Sequence, residues 1–417
     1  MELQIDRQRI ERRIEKLAEF IDPSKPAYTR RAFTPVYSEA RRWLSGEFEQ
    51  AGLNTHIDAG GNLIGRKDGT DQEAPSIMLG SHIDTVAEGG RFDGTAGVIA
   101  ALEVAQTLAE NRRYLQHPLE VVDFLSEEVS DYGASCVGSR AMAGTLMPDM
   151  LTGSNDTETL ADAITRMGGN PELAVSGSRQ PANIAAFLEL HIEQGPVLER
   201  AGVPVGVVEG IAGIRRYEVE VAGRADHSGT TPMDLRQDAL YAATEVIRRV
   251  FLLASGAAGN SGLVATTGRI ENFPNVANVV PGRVRLIVEA RSVNSKEIDS
   301  FFERLFAELE LAYAQSGVSL SHRFISDAPP TACDPELRAA IRSAATNRGL
   351  RFLDMPSGAG HDAMQIAHIC PVGMIFVPSL AGRSHTPEEF TKVEDIAAGT
   401  SVLLDAVTHL DAQTRRG

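Results

Sequence analysis

The stretch Ser76-Ile77-Met78-Leu79-Gly80-Ser81-His82-Ile83-Asp84-Thr85, followed by Phe92-Asp93-Gly94, sets the reading of the whole chain. Ser76 to Gly80 is apolar and ends in glycine, so it reads as a buried strand delivering His82 at its C-terminal end, where open α/β sheets place their sites. An imidazole is a borderline metal ligand, and a carboxylate two residues on, Asp84, can hold its other ring nitrogen. Asp93 follows a Glu88-Gly89-Gly90 turn and precedes Gly94-Thr95-Ala96-Gly97, which opens an apolar helix. A carboxylate at a helix N-terminus is electrostatically favoured. Taken alone, such a His/Asp pair suits a capped turn as well as half of a metal site.

Working outward, the pattern of a strand ending in polar chemistry recurs. Residues 119–125 form a strand that runs into Ser126-Glu127-Glu128. Two acids at the end of a buried strand are costly unless something positive compensates them. Successive residues of an extended segment point to opposite sides, so one carboxylate can bind metal while the other faces an attacking water. Residues 185–190 form another strand, which hands over to His191-Ile192-Glu193-Gln194-Gly195-Pro196. The closing segment, 337–417, returns to α/β character and supplies Gly382-Arg383-Ser384-His385-Thr386-Pro387-Glu388-Glu389. Three imidazoles and two carboxylates, on His82, Asp93, Glu128, His191 and His385, suit two zinc-like ions roughly 3.5–4 Å apart, with Asp93 giving one oxygen to each. Manganese, cobalt or nickel would be accepted by the same donors.

The remaining segments read as scaffold. Residues 1–21 form an amphipathic helix with no continuous apolar core of the secretory type. A second helix spans 37–51, a hairpin joins strands at 54–58 and 62–67, and a helix covers 158–167. From about Gly210 the order strand 215–221, helix 238–253, strands 263–270 and 284–290, helix 296–315 and strand 320–325 is the β-α-β-β-α-β of a ferredoxin-like domain. A length of 417 residues favours two domains. The formal net charge of -16 argues against nucleic acid and anionic membrane as partners. Cys136, Cys333 and Cys370 are odd in number and widely spaced, as expected of reduced thiols in the cytoplasm. No stretch has the length of a transmembrane helix.

With these motifs in hand, the sequence resembles the dinuclear-metal amidohydrolases that include the aminoacylases and related carboxypeptidases. It is most similar to the hydantoinase/carbamoylase branch, which holds N-carbamoyl-L-amino-acid hydrolases and allantoate amidohydrolases. The resemblance rests on residues 80–85, 92–94, 127–128, 191–196 and 384–385 and covers nearly the whole chain. It implies a mixed-sheet α/β catalytic domain, residues 1–211 and 328–417, and an inserted ferredoxin-like α+β lid and dimerisation domain, residues 212–327. It implies two divalent metal ions per subunit, one held by His82, Asp93 and His191 and the other by Asp93, Glu128 and His385, with Glu127 as general base.

The inserted domain carries Gly223-Arg224-Ala225-Asp226-His227-Ser228-Gly229, which resembles the family's lid motif. There His227 would stabilise the oxyanion in a neighbouring site across a homodimer. Asn278, and Arg291 at a strand end, match positions that hold the substrate carboxylate. Gln194 is close enough to His191 to touch substrate, and Gly360 and His361 lie in a loop similar to a family active-site loop, where a histidine beside glycines and an aspartate suits a structural role as well as a substrate-side one. Read singly, His227, Asn278 and Arg291 also suit a loop histidine, a turn former and a solvated strand end. The expected activity is hydrolysis of a ureido amide, first of an N-carbamoyl-L-amino acid and alternatively of allantoate. An aminoacylase or peptidase, and a metal-holding homologue without catalysis, are the further alternatives.

Overall fold

The computed structural model describes residues 3–25, 27–177, 179–257, 262–314 and 317–413. The first and last residues of the expected terminal segments, 1–2 and 414–417, and the C-terminal residue of the expected helix 296–315 lie outside them. The chain has a mixed α/β fold that divides into two compact units. One comprises 1–209, 333–355 and 360–417; the other comprises 210–332 and 356–359. The second unit thus takes in residues 210–211, 328–332 and 356–359 beyond the expected insertion.

The first unit is built on a large mixed sheet whose strands lie side by side in the order Asn54–Ile57, Leu63–Lys67, Leu119–Phe124, Ser76–His82, Ile184–Ile192, Val372–Val377 and Val205–Ile211. The four central strands, from Leu119–Phe124 to Val372–Val377, are parallel neighbours. Their register pairs His82 with Phe124, and His191 with Phe376. Parallel pairing is what brings three polar strand ends to one edge, because every C-terminus exits on the same side. The Ser76–His82 strand is buried along its whole length, as is Leu119–Phe124. Runs apolar on both faces are the signature of strands covered on both sides.

Helix Thr95–Glu110 is apolar nearly all round and packs against Ser76–His82, Ile184–Ile192 and helices Arg7–Leu17 and Val393–Gln413. Its one buried acid, Glu103, accepts from Arg9 Nε at 2.7 Å, which ties the first helix down. That helix is shorter than expected because the Asp6 side chain caps it, accepting from Arg9 N. The second helix starts earlier than expected, at Pro35, because Thr34 caps it and proline suits a first turn.

The second unit has a four-stranded antiparallel sheet in the order Ser319–Ala328, Gly213–Ala222, Arg283–Ser292 and Val264–Phe273. Arg283–Ser292 alternates strictly between half-buried and buried residues, putting Val284, Leu286, Val288 and Ala290 into a core with helices Ala239–Ala257 and Ser295–Tyr313. That strand is longer than the expected 284–290. Arg291 therefore lies within it, opposite Ile214, and not at its end.

Candidate metal centre

Asp93 is the hub of the polar edge in the first unit. Gly94 beside it has φ +60, and a Cβ there would lie 2.4 Å from the His82 ring, so only glycine lets the helix start this close to the imidazole. His82 Nδ1 lies 3.0 Å from the Asp84 backbone oxygen, and His191 Nδ1 lies 2.9 Å from the Ile192 oxygen. A carbonyl can only accept, so both rings carry the proton on Nδ1 when neutral and present a lone pair on Nε2. His191 Nε2 is 3.1 Å and His82 Nε2 3.9 Å from Asp93 Oδ1. His385 Nε2 is 3.0 Å from the other oxygen, Asp93 Oδ2, and 3.1 Å from Glu128 Oε1. The carboxylate thus turns one oxygen to each set of donors, and each set lies within 4.8 Å of itself: His82, Asp93 and His191 in one, Asp93, Glu128 and His385 in the other.

Glu127 Oε2 lies 3.7 Å from His82 Nε2, beside this pair of sets. Its backbone and that of Glu128 donate to the two oxygens of Asp84, at 3.2 and 3.1 Å. Here the structure modifies the expectation for Asp84. Its carboxylate oxygen is 3.5 Å from His82 Nδ1, farther than its own carbonyl, and its main partners are the N–H groups that aim the two glutamates. Ser126, Gln194 and His385 sit at φ +56, +57 and +56, left-handed conformations that cost about 1–3 kcal/mol each and gather at functional sites.

The electrostatics follow from many carboxylates in little water. Burial pushes the Glu127 carboxyl well up, and the charges of Asp362, Glu128 and Asp84 add to this against His82. Burial disfavours the His82 cation, but Asp84 hydrogen bonding and the Glu127 and Asp93 charges outweigh it and hold the imidazole well above its usual range. For Asp93, burial is outweighed by His191 and His385, and the carboxyl is held well below its usual value. Hydrogen bonds to Asp93 and Glu128 lift His385 to about 10. Carboxylates that hold protons on three imidazoles would equally hold a dication in their place, and nitrogen and oxygen donors of this kind suit zinc, manganese, cobalt or nickel.

His361 and Gln194 also lie at this edge. The His361 ring is buried, 4.5 Å from that of His191, and burial together with the His191 charge keeps it well below its usual value. Gly360 leads into it. Gln194 Nε2 donates to Asp93 Oδ2 at 3.0 Å. His227, Asn278 and Arg291 belong to the second unit. His227 is exposed in the two-residue strand Asp226–His227, and Ser228 N donates to Asn278 O at 3.0 Å, so these two sites are neighbours. Arg291 donates to Glu289 Oε1 at 2.7 Å and to Gly358 O at 2.8 Å.

Sequence reasoning passed over the groups beneath the centre. Glu189, fully buried, accepts from Ser81 Oγ at 2.8 Å. Asp123 accepts from Ile83 N at 3.0 Å and from Arg41 Nε at 2.7 Å. Arg30, buried and brought down to about 10 by burial against the charges of Asp123 and Asp84, donates to the Ile83 oxygen at 2.8 Å and remains a cation at neutral pH. Breaking a buried pair such as Arg41–Asp123 costs about 3–5 kcal/mol. Asp362 accepts from Ser139 Oγ at 2.5 Å, and Cys136 Sγ donates to Glu127 Oε1 at 3.6 Å. The signal for Glu189 and Asp123 was present, as single acids inside apolar strand runs.

Fold and candidate metal-binding groups together are those of a hydrolase scaffold, and the comparisons agree. The chain belongs to peptidase family M20/M25/M40, whose model matches residues 78–409. Within it, the chain is 40% identical to an N-carbamoyl-L-amino-acid amidohydrolase of Paenarthrobacter aurescens, over 97% of this chain and 98% of that one. It is 35% identical to the allantoate amidohydrolase of Bacillus subtilis, over 95% and 96%. A solved amidase of the hydantoinase/carbamoylase family from Burkholderia multivorans superimposes with a TM-score of 0.90 at 33% identity, covering 98% of each chain.

Proposed function

We propose that this chain is a metal-dependent amidohydrolase that cleaves the carbamoyl amide of a small carboxylate-bearing substrate, first among them an N-carbamoyl-L-amino acid. The observation that carries this is the two-sided Asp93 carboxylate, with His191 on Oδ1 and His385 on Oδ2 and Glu127 alongside. On this reading His82, Asp93 and His191 hold one divalent ion and Asp93, Glu128 and His385 a second. Bound there, such ions would supply Lewis acidity for the ureido carbonyl and its attacking water.

The chain's own residues do the rest. Glu127, with a carboxyl raised by burial, takes a proton from the attacking water and returns it to the departing nitrogen. Cys136 and the Asp84-anchored backbone hold that carboxylate in place. Arg291 and Asn278 bind the substrate carboxylate, Arg291 through a fork already braced by Glu289. His227 of a second copy donates to the developing oxyanion. Gln194, Gly360 and His361 border the substrate. The products are the free amino acid, ammonia and carbon dioxide.

A homodimer through the second unit is supported by the exposed apolar side chains Tyr241, Phe251 and Leu252 on its helix Ala239–Ala257. No helix among the described residues is long and apolar enough to cross a membrane. The similarity to an allantoate amidohydrolase favours allantoate as the second substrate reading, since it offers the same ureido group and carboxylate. Ammonia release from N-carbamoyl-L-methionine and from allantoate, in zinc and in manganese, separates the two. Release from neither, above a Glu127→Gln control, would refute both.

A further inference from the structure

Glu389 follows His385 by four residues. It is 2% exposed. Its Oε1 accepts from Phe92 N at 2.8 Å and from Asp93 N at 3.0 Å, and its Oε2 accepts from Ser384 Oγ at 2.8 Å. The same Ser384 hydroxyl lies 3.1 Å from Asp93 Oδ2, the oxygen that faces His385. A serine hydroxyl has one hydrogen, so it is shared between two carboxylates. The turn before Asp93 is shaped to this acid, because a Cβ on Gly90 would lie 2.2 Å from Glu389 Cδ. Glu389 N donates to Thr386 O at 3.1 Å, which keeps the acid on the turn that carries His385.

We propose that Glu389 is a positioning residue for divalent-ion binding, locking the Asp93 turn and the His385 turn together so that the Asp93 carboxylate presents Oδ2 to the same point as His385 and Glu128. This rests on the reading that Asp93 and His385 hold metal. A loop staple would need only an acceptor for the two N–H groups. The additional hydroxyl link to the donor-facing oxygen of Asp93 is what couples Glu389 to the ion. Outer partners of this kind typically change metal affinity about 10–100-fold.

The test titrates the metal-free chain with zinc against a competing chelator and records the melting temperature of each metal-free variant. Glu389→Ala and Ser384→Ala should each bind at least one zinc ion about 10–100-fold more weakly, with metal-free melting within a few degrees of wild type. Glu389→Gln, whose amide oxygen can still accept both N–H groups and whose NH2 can meet Ser384, should stay within about threefold of wild type. Wild-type affinity in Glu389→Ala and Ser384→Ala would overturn the proposal, as would Glu389→Gln as weak as Glu389→Ala, which would assign the effect to charge. If Glu389→Ala does not fold, Ser384→Ala alone decides. His385→Ala separates the two levels: as many zinc ions bound there as tightly as in wild type would refute the metal reading itself, whereas loss or weakening of one zinc there alone would refute only the role of Glu389.

Discussion

His385 Nε2 stands 3.0 Å from Asp93 Oδ2, while the opposite oxygen of the same carboxylate faces His191. One side chain therefore serves two donor sets, and on the two-ion reading their occupancies should be linked. Removing His385 takes a donor from one set only, so His385→Ala should retain one tightly held zinc and lose the second, as read by elemental analysis after gel filtration. Asp93→Ala takes an oxygen from both and should retain less than one. Equal occupancy in the two variants would break the link.

Proton release should accompany metal binding. Zinc would displace protons from imidazoles that the surrounding carboxylates raise, with His385 at about 10. Affinity should thus climb with pH from about 7 toward 10. Calorimetry in two buffers of different ionisation heat should show more than one proton released per chain at pH 8, and none would contradict it. The linkage sign for the metal-free chain is set by the same groups. Because their folded-state pKa values are raised, their stabilisation is complete below the ordinary imidazole value near 6.5 and is lost as pH rises through the folded value. Melting temperature without metal should therefore fall between about pH 6.5 and 10.

Gly94→Ala is a small change at a crowded position. A Cβ there meets the His82 ring at 2.4 Å, and φ +60 is unfavourable for alanine. The expected cost is about 1–3 kcal/mol of stability, read by denaturant unfolding, together with weaker metal binding as His82 is pushed aside. A neutral outcome in both would show that the helix start can retreat freely.

A shared site has its own signature. A His227→Ala chain and a Glu127→Gln chain, each expected to be strongly impaired alone, should regain part of the wild-type ureido hydrolysis when mixed and allowed to exchange subunits. No recovery in a proven heterodimer would place His227 at its own chain's site or outside the chemistry.

Much of this cluster was legible because donor groups at strand ends leave local marks. His82, Glu127-Glu128 and His191 each interrupt the end of an apolar run, and parallel pairing then brings them to one edge. Asp93 was readable from the glycines around it. The partners of the supporting carboxylates were not, even where a lone acid in an apolar run marks the carboxylate itself, because they are chosen by packing between residues 82 to 296 positions apart: Glu389 on the Asp93 turn, Asp123 on Arg41, Glu189 on Ser81. Asp84 shows what spacing arguments leave out: its carboxylate lies 3.5 Å from the His82 ring nitrogen, as two residues' separation suggests, but it also accepts from the backbone of Glu127 and Glu128. Arg291 shows a similar limit, for a strand's length depends on its neighbours, and pairing with residues 213–222 carried it past the apolar run.

The most direct single measurement is ammonia released from N-carbamoyl-L-methionine by the zinc- or manganese-loaded chain, beside a Glu127→Gln chain of equal metal content. Wild type should turn over, and Glu127→Gln should be slower by about 10²–10⁴-fold, the range for losing a general base. Equal rates in the two, or no release by the loaded wild type from this substrate or from allantoate, would contradict ureido hydrolysis at the Asp93 centre.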